Sequence, residues 1–317
     1  MNEPLPPPDV SILIVAYNSQ AIIADCLGSI AQACARHSYE VLLIDNGTGA
    51  TAYLVATHFP QVKIVASRGN VGFAAGNNLL ADEAKGRHLL LLNPDVVLKP
   101  QAIDILMDAT ATYPETSAWG GVTLDKHNQP DFGNTLGFPS LREMATRILL
   151  RTSQEAPTRL SFDHDAEVPV LSGSFAMFTR SAWDEVGGLD DRYFLYCEEV
   201  DLFYRLAKAG HRFRRIARSR ANHDVGHGDG TSPHRELYLS AGIMQFTRLH
   251  WSRPESLVAF FLIWAASLVR LTAGMTMGCA SPNFANVAAR YRLVATRPNH
   301  WRHGYDPARG LMAKLRR

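Results

Sequence analysis

The chain has 317 residues, of which 46% are hydrophobic and 20% charged. That balance buries a substantial core and excludes an intrinsically disordered chain. A formal net charge of +2 gives no reason to expect nucleic acid as a partner.

The opening MNEPLPPPDV has neither an apolar signal core nor a basic leader, so a cytoplasmic location is expected. Residues 10–17 read as a strand bounded by prolines. Ser19 is placed to cap a helix over 20–36, which would carry Cys26 and Cys34 as buried or half-buried thiols. With Cys197 and Cys279 these cysteines show no CxxC spacing, which argues against a zinc site or a disulfide framework. A strand over 39–44 ends at Asp45-Asn46-Gly47. A helix over 50–58 and a strand over 62–66 follow. Residues 69–76 open a helix over 74–85. The apolar run 88–92 reads as a buried strand, and a helix spans 101–112. This alternation predicts a parallel sheet with helices on both faces. Ligands of such sheets sit beyond the carboxyl ends of the strands. Asn18, Asp45 and Asp95 fall at or just past such ends.

The second half is less regular. A strand covers 119–124, and a basic helix over 141–151 either covers an acceptor site or lies on the surface. Residues 168–179 are apolar around Ser172-Gly173-Ser174. A short helix over 182–186 stops at Gly187-Gly188, and a longer one covers 198–208. Two basic patches, Arg212 to Arg220 and the stretch after Arg290, suit phosphates or an anionic membrane, or else are solvated faces. Residues 257–279 are almost wholly apolar but carry Arg270 near the middle. A helix lying in a membrane interface or buried against the domain is expected there, rather than a span.

Asn93-Pro94-Asp95 closes the 88–92 strand. Such tripeptides are commonly plain turns. An amide and a carboxylate two residues apart can also face one point, and hard oxygen ligands of this kind suit Mg²⁺ or Mn²⁺ carrying a diphosphate.

The segments VSILIVAYNS, VLLIDNG, RGNVGFAAGNN, LLLLNPDVVL and VLSGSFAMFTRSAWDEVGGLDDRYFLYCEEVDLFYRLAKAGHRF, with the later Asn222-His223, occur in one order over about two thirds of the chain. In that order they resemble family 2 glycosyltransferases, in particular the rhamnosyltransferase-like branch. The resemblance implies a GT-A fold: an α/β domain with a mixed central sheet flanked by helices. On this reading residues 1–228 form the transferase domain, with a donor half over 9–125 and an acceptor half over 126–228. Residues 229–317 form a C-terminal helical extension, for which membrane association and packing against the domain both stay open.

The resemblance assigns roles residue by residue. Ala16, Tyr17 and Asn18 would hold the base and ribose, and Asp45 would accept from a base N–H or ribose hydroxyl. From the residues alone, Asp45 is equally a helix-capping aspartate. Asn70, Gly72, Phe73 and Asn78 match the donor-binding segment, where glycine permits close backbone approach. Asp95 matches the metal aspartate of the DxD-type motif. Asn93 stands where many relatives have Asp, and asparagine is usual in the rhamnosyltransferase-like branch. His223 matches a histidine near metal and diphosphate. His227 lies four residues on, in a Gly-rich loop that would close over the donor or stay on the surface. In Glu198-Glu199-Val200-Asp201, Glu199 takes the place of the family's catalytic Asp, with Glu198 as the other candidate base. Asp201 is expected to pair with Arg205 at i+4, and Trp183 and Phe194 to be core. Asp190 is a candidate for acceptor or donor sugar binding.

The implied activity is inverting transfer of a sugar, L-rhamnose from dTDP-rhamnose above others, to a hydroxyl of a bacterial surface glycan, plausibly lipid-linked. A divalent metal would serve as cofactor. Two alternatives stay open: a non-catalytic binding protein that keeps the fold, and a sugar nucleotidylyltransferase. The latter is disfavoured because no Gly-rich phosphate loop with Arg and Lys follows the first strand.

Overall fold

A computed structural model describes residues 6–131, 134, 136–149, 162–223, 233–278 and 282–312. His227 and Cys279 lie outside the described residues. The chain forms two compact units. One draws on residues 1–137, 156–191 and 199–225, the other on 138–155, 192–198 and 226–317.

The first unit holds the sheet. Its strands are β1 (Val10–Ala16), β2 (Tyr39–Asp45), β3 (Lys63–Val65), β4 (His88–Leu92), β5 (Val96–Leu98), β6 (Thr116–Leu124), β7 (Ala166–Glu167), β8 (Phe175–Thr179) and β9 (Arg212–His223). The order is β3-β2-β1-β4-β8-β6-β9-β5, with β7 alongside β9. The expected parallel arrangement holds from β3 to β4. Elsewhere the sheet is mixed, as the GT-A resemblance implied: β8 is antiparallel to both β4 and β6, β5 is antiparallel to β9, and β6 runs parallel to β9. The sheet is mixed because β8 enters between β4 and β6, a pairing that no local periodicity encodes.

Every residue of β1 is buried, as helices on both faces of a central strand require. Full burial of one Ile or Leu side chain contributes about 1.5–3 kcal/mol, so Ile12, Leu13 and Ile14 are a large part of what holds the sheet. Ser11 is also fully buried, yet satisfied: its hydroxyl donates to Glu40 at 2.6 Å and accepts from the Gly86 N–H at 2.7 Å. Helices α1 (Ile23–Ala33), α2 (Ala50–His58), α3 (Phe73–Glu83) and α4 (Ala102–Thr112) match the expected elements within a few residues. Ser19 does not cap α1. A turn intervenes, the helix starts four residues later, and the Ser19 N–H donates instead to Thr51 Oγ1 at 3.1 Å.

The segment 168–179 is not one strand; β8 begins only at Phe175, after the Ser172–Ser174 turn. Helices α6 (Arg180–Glu185) and α7 (Glu198–Lys208) follow. The Arg180 guanidinium donates to the carbonyls of Ala81 and Ala84 at 3.0 and 2.8 Å, closing the C-terminal end of α3. Asp201 pairs with Arg205 at 2.7 Å as expected, and Arg205 also donates to the carbonyls of Val186 and Gly188. Trp183 is core, against Phe178. In the Arg212–Arg220 patch Arg212 and Arg218 are exposed, while the other three arginines have local partners. Arg215 is buried under Phe162, Arg214 lies over Tyr113 and faces Glu115, and Arg220 faces Asp163.

The second unit is helical: α5 (Leu141–Leu149), α8 (Pro233–His250), α9 (Arg253–Met277), α10 (Pro282–Thr296) and α11 (Pro298–Trp301). Ser252 and Glu255 form a capping box at the start of α9. Phe194 stacks on Tyr238.

Asp9, just before β1, accepts from the Ser38 hydroxyl and N–H, both at 2.8 Å, and from Arg87. The Ser38 bonds, then Arg87, lower its pKa to about 2. A carboxylate lowered in the folded state adds stability that is complete above its ordinary range and lost as pH falls toward the folded value. Asp9→Asn should therefore lower the urea midpoint at pH 7, and the gap from wild type should close as pH falls from about 4 to about 2.

Candidate active site

The carboxyl ends of β1, β2 and β4 lie on one sheet edge, which gathers Ala16, Asp45 and Asn93 with the residues that follow them. Ala16 pairs with Asp45 across β1 and β2. Tyr17 is 58% exposed just beyond, and Asn18 adopts a left-handed φ of 52° that Asn tolerates well. Asp45 is buried, and its two oxygens accept from the N–H groups of Gly47 (2.8 Å) and Ala52 (3.1 Å). The carboxylate therefore caps the first turn of α2 while standing at the site edge. Asn46, which the sequence did not single out, donates to the Gly72 carbonyl at 2.9 Å and ties this edge to the start of α3. Gly72 there has φ 89°, open to glycine at no steric cost, and its N–H donates to Asn70 Oδ1. Asn78 faces elsewhere: its amide brackets Leu189, donating to the carbonyl at 2.7 Å and accepting from the N–H at 3.0 Å. It also donates to Asp191 at 2.5 Å. Asn78 thus fixes the loop after α6.

Asn93-Pro94-Asp95 is a turn, closed by the Val96 N–H on the Asn93 carbonyl at 3.1 Å. The Asn93 N–H donates to the Ser174 carbonyl at 3.0 Å, so the turn sits against the Ser172–Ser174 segment. β5 leaves the turn and pairs with β9, setting Val96 opposite His223. His223 Nε2 lies 3.5 Å from Asp95 Oδ1, and its Nδ1 lies 3.1 Å from Asp131 Oδ2. Asp131 is held in turn by Thr123 Oγ1 (2.8 Å) and Asn134 Nδ2 (3.1 Å). Burial alone would push the His223 pKa down. The bonds to Asp131 and Asp95, with their negative charges, outweigh it and raise the value to about 9. Asp131 was missed from sequence because it lies 92 residues from His223 in an irregular stretch with no motif.

Glu199 is half-buried in the first turn of α7. A Cβ on Gly173 would lie 3.7 Å from Glu199 Cβ and 3.4 Å from the Phe73 ring, so Gly173 brings the two side chains together. Glu198 is buried and acts on Tyr305, raising the Tyr305 pKa after the larger effect of burial. The two carboxylates thus have different surroundings, with Glu199 the one beside Gly173 and Phe73.

The turn ahead of α7 is strained. Tyr196 and Cys197 both have left-handed φ, 68° and 69°. Such non-glycine residues cost about 1–3 kcal/mol each and cluster at functional sites. Gly242 of α8 holds the turn: a Cβ there would lie 2.4 Å from the Tyr196 carbonyl oxygen.

With this geometry in place, comparison with known proteins is informative. A family model described as "Glycosyltransferase like family 2" matches residues 6–233. The chain belongs to glycosyltransferase family 2. It is 32% identical over 253 residues to the N-acetylglucosaminyl-diphospho-decaprenol L-rhamnosyltransferase of Mycobacterium tuberculosis, covering 71% of this chain and 79% of that one. It is 27% identical to the rhamnosyltransferase WbbL of Escherichia coli K12, over 69% and 84% of the two chains. The mannosyltransferase PcManGT of Pyrobaculum calidifontis, solved with GDP-Man and Mn²⁺, superposes with a TM-score of 0.55 at 15% identity, covering 97% of this chain and 88% of that one. The chain is a glycosyltransferase of GT-A fold with rhamnosyltransferase relatives, which retires the non-catalytic and nucleotidylyltransferase alternatives.

Because Gly242 is what lets the Tyr196–Cys197 turn stand where it does, Gly242→Ala should displace the start of α7. Transferase activity should fall at least about tenfold, a barrier change of ~1.4 kcal/mol, while the donor-induced thermal shift survives.

Proposed function

We propose that the protein is an inverting rhamnosyltransferase that uses dTDP-rhamnose and a lipid-linked glycan acceptor at the cytoplasmic face of the inner membrane. The observation that carries this reading is the pairing of Asp95 with His223 at the ends of β4 and β9, next to the Ser172–Ser174 segment across which Phe73 and Glu199 approach each other at Gly173. It is joined to relatives whose names specify rhamnose transfer. The Mycobacterium tuberculosis relative is named for an acceptor sugar carried on decaprenol through a diphosphate. A polyprenyl-diphosphate-linked sugar is accordingly the acceptor class proposed here.

In this reading Glu199 removes the proton of the acceptor hydroxyl as that oxygen attacks the anomeric carbon. The bond from that carbon to the diphosphate breaks, and the nucleoside diphosphate leaves from the opposite face. Ala16, Tyr17, Asn18 and Asp45 hold the nucleoside, and Asn70, Gly72, Phe73 and Asn93 line the path to the diphosphate. Asn78 acts through the loop it fixes.

A divalent cation fits the residues present. Asp95 Oδ1 is buried and faces His223 Nε2 at 3.5 Å, a long contact that a cation held by both would replace. His223 keeps Nδ1 on Asp131, the carboxylate–histidine arrangement that orients a metal-ligating ring. Among the described residues no group of three or more His, Cys, Asp or Glu side chains gathers for a metal. Asp95 and His223 would thus be the protein ligands, with donor phosphates and water completing the shell, as Mg²⁺ and Mn²⁺ commonly accept. The cation would offset the charge growing on the leaving diphosphate.

Three measurements check this. A thermal-shift panel should give a metal-dependent rise with dTDP-rhamnose and none with UDP- or GDP-sugars; a rise with those sugars instead would overturn the donor assignment. Glu199→Gln should abolish transfer while that shift persists, and an active variant would remove Glu199 as the base. Asp131→Asn should weaken Mn²⁺ binding by roughly 10–100-fold, read by electron paramagnetic resonance titration, because His223 loses its orienting carboxylate.

A further inference from the structure

Helix α9 wears its apolar side chains outward. The residues it buries are small: Ser256, Ala259, Ala266, Ser267 and Gly274. The large apolar residues it exposes along its length are Leu257, Val258, Phe261, Val269 and Met275, with Met277 exposed on another side at its last position. At about 100° per residue these five fall within roughly a third of the helix circumference. A helix of a water-soluble domain has the opposite arrangement, with its apolar stripe on the core. Small residues against a neighbouring helix and large apolar ones outward is how helices pack in lipid.

Hydroxyl and indole groups along α9 are satisfied within the helices, and the Arg270 Nε, buried, is the exception. Ser267, Thr272 and Thr276 donate to carbonyls one turn back, at 2.8, 2.9 and 3.0 Å. Trp264 Nε1 donates to the Ala295 carbonyl at 2.9 Å, and Arg270 donates to the Ala266 carbonyl while lying over the Tyr291 ring. Water does not require such closure; an apolar medium does.

Charge identifies the medium. Residues 233–312 contain nine arginines, no lysine and three carboxylates. Each carboxylate is engaged: Glu236 with Arg290, Glu255 in the capping box and Asp306 with Arg309. Arg253, Arg292 and Arg297 are exposed and make no ion pair among the described residues. A second copy of this chain would bring the same excess of arginines against them, whereas phosphate headgroups would neutralise it.

The helix is also backed along its length, by Trp301 against Phe260, Ala295 against Trp264 and Ala288 against Gly274. By length and hydropathy α9 could span a bilayer. Crossing would draw Arg292 and Arg297 of the backing segment into hydrocarbon, which guanidinium groups resist. We propose that the exposed face of α9 is an in-plane anchor that seats on an anionic lipid bilayer, with the neighbouring arginines at the headgroups. This deepens the membrane part of the reading above and rests on it for biological sense. Lipid binding alone decides it, with no donor or acceptor present.

The test is flotation of the full chain with phosphatidylcholine vesicles, with and without phosphatidylglycerol. The wild type should float with the anionic vesicles and come off as salt is raised. Phe261→Asp combined with Val269→Asp, both at exposed positions, should lower the partition at least about tenfold. Arg292→Glu combined with Arg297→Glu should lower it only on anionic vesicles. The proposal is overturned if the wild type does not float, or if the Phe261/Val269 variant floats equally well. It is also overturned if light scattering finds a lipid-free dimer that this variant dissolves. The dTDP-rhamnose thermal shift of all variants should match wild type. A wild type that floats but shows no such shift would strike the donor assignment and leave the anchor standing.

Discussion

Parallel pairing of β1 with β2 on one side and β4 on the other is the constraint from which the site follows. Parallel strands end at the same edge, so Ala16, Asp45 and Asn93 leave the sheet together although 77 residues separate the first from the last. The pairing is held by strands buried on both faces, and the apolar content of β1 and β4 is what stabilises it. A polar residue inside that layer is tolerated only when satisfied, as Ser11 is by Glu40 and Gly86.

The opposite side of the site depends on a different sort of pairing. β5, only three residues long, sends the chain from the Asn93-Pro94-Asp95 turn to the end of β9 and sets Asp95 beside His223. Charge then organises the ring. Asp131, braced by Thr123 and Asn134, holds one nitrogen and leaves the other toward Asp95. Three of the β9 arginines, Arg214, Arg215 and Arg220, are by contrast taken up by local aromatic and carboxylate partners.

Backbone strain marks the turn that leads into α7. Two successive left-handed residues, Tyr196 and Cys197, precede Glu198 and Glu199, and Gly242 is the close neighbour that permits them. Local preference would relax that turn; packing overrides it. The same turn parts the two glutamates, so that Glu198 acts on Tyr305 and Glu199 stands beside Gly173 and Phe73.

Strands β1 to β4, the helices α1 to α4 and α7, and the family were legible in the sequence, because apolar periodicity and ordered motifs are local signals, whereas the three residues of β5 were too few to show one. The sequence also marked Asp95, His223 and Glu199, each inside or beside a motif, and the apolar stretch that becomes α9. Only the tertiary structure decided that β8 enters antiparallel between β4 and β6, that Asp131 supports His223, that Asn78 serves a loop, and which face of α9 is outward. Each of these depends on residues far apart in the chain meeting through packing. Strand insertion, long-range hydrogen bonds and helix backing leave no periodic trace in any one segment, since the free energy that selects them belongs to the assembled core.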